Sequence, residues 1–130
     1  MDLTAGGTFK MDLGAATTAG TTYDQLALTG VLTGSTLAGD IKFEFNGLAG
    51  IQTSTTYTLM TFGSSSNFTV ADLSATILPS GLSLNSTFGT DGWNITGTEL
   101  QVQFIPEPSA FAMILGGVGT LILLRRRRSS

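Results

Sequence analysis

The chain has 130 residues, a formal net charge of −3, seventeen glycines and neither cysteine nor histidine. Disulfides, thiol nucleophiles, histidine-dependent triads and the usual zinc sites are therefore excluded, and packing and backbone hydrogen bonds must hold the fold. The charge is unevenly placed: residues 1–105 carry Lys10 and Lys42 against eight carboxylates, a net −6, which argues against nucleic acid or anionic lipid as a partner of that part.

The first twenty residues, MDLTAGGTFKMDLGAATTAG, have neither the basic start nor the apolar run of an export leader; for an exported protein, either the chain is the end of a longer one, which is the expectation, or its start is assigned too far downstream. Phe9, Met11 and Leu13 alternate with Lys10 and Asp12, the period of a half-buried strand. A second strand is expected over 23–31, with Leu26 and Leu28 before Gly30. The clearest is 41–46, where Ile41, Phe43 and Phe45 share one face and Lys42, Glu44 and Asn46 the other. Residues 57–62 are apolar or threonine, as in a strand covered on both faces. Leu82, Leu84 and Phe88 form another alternation, and Leu100, Val102 and Phe104 with Glu99, Gln101 and Gln103 close the series. Glycine-rich breaks fall at 14–20, 34, 47–50, 63–67, 79–81 and 89–92. Seven or eight short strands in one extracytoplasmic domain, residues 1–104, are expected. The class is all-β, with a short parallel β-solenoid-like arrangement as the expectation and an antiparallel β-sandwich as the alternative.

Residues 105–130 have three parts in order: Pro106, Glu107, Pro108 and Ser109; an uncharged apolar run, 110–124; and Arg125, Arg126, Arg127 and Arg128. Its eight strongest apolar side chains favour a bilayer by about 2 to 5 kcal/mol. An arginine at the centre of a span costs about 3 kcal/mol, so four together mark its end. As a helix the run measures about 22 Å against a hydrocarbon core of roughly 30 Å, a mismatch that snorkelling arginines reduce. Gly116, Gly117 and Gly119 suit a membrane helix better than a buried one in a soluble core. One C-terminal transmembrane helix is expected, in a single-pass protein whose C-terminus is cytoplasmic and whose residues 1–105 lie across the membrane.

This order of Pro-Glu-Pro, apolar span and arginine cluster resembles the C-terminal sorting signal of bacterial PEP-CTERM proteins. The resemblance implies an exosortase-type processing enzyme as partner, with Pro106, Glu107 and Pro108 as recognition element, 110–124 as span and Arg125 to Arg128 as membrane stop. It also implies delivery through the cell envelope to the cell surface or an extracellular matrix, with exopolysaccharide as a candidate partner. The stretch GTTYDQLALTG at 20–30, followed by Gly34-Ser35-Thr36-Leu37, is loosely similar to the last rungs of autotransporter-like passenger proteins, which implies a right-handed parallel β-helix.

Catalytic patterns are missing: there is no Gly-x-Ser-x-Gly elbow, P-loop or Asp-rich calcium loop. Asp40 with Glu44 and Asp91 with Glu99 are the nearest carboxylate pairs for glycoside hydrolysis. Strand-face and turn positions explain them better. Asn67, Asn85 and Asn94 begin acceptor-like triplets, which arise by chance in a chain with 33 serines and threonines. Trp93, Tyr23 and Tyr57 are candidates for a sugar-stacking platform, although core packing is the better account. The sequence therefore points to a non-enzymatic, cofactor-free, structural or adhesin-like surface protein. The rival is a carbohydrate-binding accessory module at the end of a secreted polysaccharide-active enzyme.

Overall fold

The computed structural model describes residues 1–107; Pro108, the expected span 110–124 and Arg125 to Arg128 lie outside the described residues. Strand-forming alternation sets the first pass of the chain: β1 (Gly7–Leu13), β2 (Leu26–Ala27) and β3 (Val31–Thr33). A second pass, β4 (Ile41–Gly47), β5 (Tyr57–Thr61) and β6 (Ser64–Ser66), lies on the first strand by strand and parallel to it. Gly7 faces Ile41 and Leu26 faces Met60, each 34 residues on, and Val31 faces Ser64, 33 residues on. After a 3-10 turn, Val70–Asp72, β7 (Leu73–Ile77) adds a third parallel strand beside β4, with Leu73 opposite Ile41.

Beyond β7 the pairing changes sign. The strands β8 (Leu82–Leu84), β9 (Trp93–Ile95), β10 (Glu99–Val102) and β11 (Phe104–Pro106) pair antiparallel, with only Gln103 between the last two. Four small sheets result, ordered β1-β4-β7, β2-β5-β10-β9, β3-β6 and β8-β11. Among the described residues the expected β class holds, with strands as the main regular element. The described residues do not form the expected regular solenoid, because parallel stacking stops after three strands at most and β10 enters antiparallel against β5. They do not form the alternative two-sheet antiparallel sandwich either, and no sheet closes on itself.

Burial follows the alternation. Met11, Leu13, Ile41, Phe43 and Phe45 are buried while Lys10, Asp12, Lys42 and Asn46 are exposed. The inward rings of β4 form the centre: Phe43 stacks on Phe9 at 5.4 Å and on Phe45 at 5.6 Å, and Trp93 meets Phe43 at 5.2 Å. Phe104 meets Phe45 edge-on at 5.2 Å, so the antiparallel strands close the same core that the parallel ones open. One phenol ties together two of the long segments between strands. Tyr57, fully buried, donates its hydroxyl proton to the Gly14 carbonyl and accepts the Gln52 N–H at 2.9 Å, while Tyr23 packs edge-on against its ring at 5.3 Å.

Burial raises the pKa of Tyr57 above the usual 10.0, and the same cause raises that of Tyr23. The folded state favours the neutral phenol, so this stability is fully present below pH 10 and is lost as pH rises through the folded pKa. Replacing Tyr57 by Phe strands the Gly14 carbonyl and the Gln52 amide. It is expected to cost about 1–3 kcal/mol in denaturant melts near neutral pH. The variant should also lose less stability than the parent between neutral and alkaline pH; an equally steep alkaline loss would place that titration elsewhere.

Candidate functional site

The two described members of the Pro-Glu-Pro motif sit at the end of the last strand. Pro106 is opposite Leu82 in the β8-β11 pair and is exposed; it lacks an N–H and ends the regular ladder, as proline does at a sheet edge. Glu107 adds one further bond, its N–H donating to the Gly81 carbonyl at 3.0 Å. Gly81 adopts φ +75° in the turn that leads into β8, and the Leu82 N–H closes that turn on the Pro79 carbonyl at 3.0 Å. A boundary at 104/105 therefore falls inside β11, and the motif begins on the folded domain. Phe104, fully buried, anchors this strand two residues before the motif. Alternation over 100–104 signalled the strand, but its continuation through Ile105 and Pro106 depends on pairing with β8, which no local pattern announces.

The other candidate groups are dispersed. Trp93 lies in the core against Phe43 and Phe45, and Tyr57 is buried beneath Tyr23. These three rings do not form a shared exposed face, so they offer no sugar platform. Glu44 stands on the outer face of β4 and meets the Lys10 ammonium at 3.8 Å, whereas the Asp40 carbonyl accepts the Gly7 N–H at 3.1 Å just before that strand. Asp91, at φ +53°, and Gly92, at φ +96°, form the turn before Trp93, and Glu99 accepts a bond from Gln101 Nε2 at 3.0 Å. Asn94 bonds Gln101 across β9 and β10, and Asn85 bonds Gln103, so both side chains serve strand pairing.

Two concavities were not foreseen. A groove of about 440 Å³ runs along β7, lined by Val70, Leu73, Ala75, Leu84, Asp91 and Trp93. A depression of about 330 Å³ lies beside β1, with Met1, Phe9, Lys10 and Leu26 in its wall. The alternation of Leu73, Ala75 and Ile77 was the sequence signal for the strand that borders the first. No family model, curated protein or solved structure matches the chain.

The hydrogen bond at the head of the motif is measurable. In amide hydrogen exchange on the full chain, the Glu107 N–H should be protected at least tenfold over the rate of an unstructured peptide. Exchange at the unstructured rate would show that the motif is not held against Gly81.

Proposed function

We propose that this chain is a bacterial envelope protein of structural or adhesive role, a β-scaffold carried to the surface or its matrix by a removable C-terminal address. In this reading Pro106, Glu107 and Pro108 are recognised by an exosortase-type enzyme, 110–124 holds the chain in the membrane during recognition, and Arg125 to Arg128 stop transfer on the cytoplasmic side. The observation that carries it is the order of those three segments in the sequence. The placement of Pro106, exposed at the outer end of β11, supports it, since a processing enzyme needs access to that residue.

The same reading makes residues 1–107 cargo rather than catalyst. Its candidate carboxylates occupy a strand face, turns and a pairing position, and its tryptophan is spent on the core.

The test is Glu107→Ala in the exported full-length protein, expressed in a host that contains an exosortase. Release of the tail, followed by mass spectrometry of C-terminal peptides, is expected to fall at least tenfold. The β-domain should melt within about 0.5 kcal/mol of the parent, as for a surface substitution. Unchanged maturation, or mature surface protein from the parent that retains peptides through Arg128, would overturn the proposal.

A further inference from the structure

The outer strands of the three-stranded parallel sheet are β1 and β7, and neither has a described strand on its outward side. In a parallel strand, successive residues direct their backbone groups alternately to the two sides. The Gly7 N–H donates to Asp40 and the Leu48 N–H to the Leu13 carbonyl, so the odd-numbered residues of β1 serve β4 and the even-numbered ones face outward. Asp12 is covered there: its N–H donates to Asp24 Oδ2 and its carbonyl accepts the Asp24 N–H, both at 2.8 Å. Thr8 and Lys10 are left with N–H and C=O directed outward.

The far edge follows from the same rule. Even-numbered residues of β4 serve β1, so Ile41 and Phe43 serve β7. They stand level with Leu73 and Ala75 and bond to the residues flanking these, which turns Leu73 and Ala75 outward. The Leu73 N–H is taken by the Val70 carbonyl of the 3-10 turn. What remains is the Leu73 carbonyl and both backbone groups of Ala75. A parallel strand placing its Phe9 level with Ala75 would use this set completely. Its Thr8 N–H would meet Leu73 C=O, its Thr8 C=O would meet Ala75 N–H, and its Lys10 N–H would meet Ala75 C=O.

Side chains agree with that register. Phe9, Phe43 and Ala75 form one row across the sheet, so the smallest member stands where a third ring would lie, above the groove walled by Val70, Leu84 and Trp93. Phe9 is itself only partly buried, because no described strand covers β1. Lys10 points to the opposite face of the strand from Phe9, where its ammonium meets Glu44 of its own copy at 3.8 Å, so the groove receives the Phe9 ring without that charge beside it.

We propose that the outward edge of β1 in one copy docks parallel on the outward edge of β7 in a second copy, Phe9 entering the groove below Ala75. The two surfaces differ, so the contact is head-to-tail and propagates into a filament unless its rotation closes a ring. An antiparallel contact of β1 with β1 leaves the Ala75 edge unused, and the register that sets Lys10 opposite Lys10 is disfavoured by charge. The inference does not depend on how the tail is processed, and its test can fail without affecting that reading.

The chain has no cysteine, which permits a clean cross-linking test. In the proposed register Thr8 of one copy stands level with Ser74 of the other, and neighbouring strands lie about 4.7–4.9 Å apart, within reach of a disulfide. Full-length Thr8→Cys and Ser74→Cys proteins are mixed in detergent under a mild oxidant. The mixed dimer is expected to exceed the homodimers of either variant at least tenfold, and the double variant to give a ladder of oligomers. Adding Ala75→Phe to the Ser74→Cys protein, or Phe9→Ala to the Thr8→Cys protein, should each reduce mixed dimer at least tenfold. Association through the shared tail predicts equal cross-linking in every combination. That result, a dominant Thr8→Cys homodimer, or insensitivity to Ala75→Phe and Phe9→Ala would overturn the proposal.

Discussion

The contact on which the described fold depends is the packing of Trp93 and Phe104 against the inward rings of β4. Parallel passes of chain at 33 to 34 residue spacing provide a row of apolar side chains but leave its end uncovered. Antiparallel hairpins provide local hydrogen bonds but too little buried area to stand alone. Phe43 and Phe45 join the two halves, because Trp93 of β9 and Phe104 of β11 pack on rings carried by β4. Removal of that contact would leave two incomplete cores, and no disulfide is available to hold them together.

Local polar contacts then order what the aromatic core leaves loose. Tyr57 ties the chain around Gly14 to that around Gln52 through one hydroxyl group. Asp72, buried at the 3-10 turn, accepts the Thr69 N–H at 2.9 Å and so fixes the approach to β7. Gly34 allows this approach, since a Cβ there would collide with the Asn67 carbonyl oxygen. Among the described residues, every buried side-chain nitrogen or oxygen has a hydrogen-bond partner. A chain rich in Ser and Thr thus satisfies its interior polar groups within the fold.

How much of this could be read from the sequence depends on where each signal resides. Strands β1, β4 and β5 were legible because their side chains alternate or are all apolar or threonine over five to seven residues. The serines of β6 carry no such pattern; their extended conformation comes from pairing with β3. β9 is only three residues long and its identity rests on partners in β10. The switch from parallel to antiparallel pairing was illegible for the same reason: register is a relation between distant segments, and Leu73 opposite Ile41 or Leu100 opposite Met60 leaves no local mark. The motif at Pro106 and Glu107 was plain as chemistry. Its attachment to Gly81 was not, because that bond crosses a turn and a strand whose geometry only the fold supplies.

That attachment determines the length of the stalk. Glu107 is held to the domain, so under the proposed reading only Pro108 and Ser109 separate it from the first residue of the span. The three steps from Glu107 to residue 110 reach at most about 11 Å even when fully extended. The β-domain would then rest against the lipid headgroups with no flexible tether, and a processing enzyme would have to work in the narrow space between domain and membrane. Under that proposed reading, the orientation of the cargo at the membrane surface would become a factor in whether its own address could be removed.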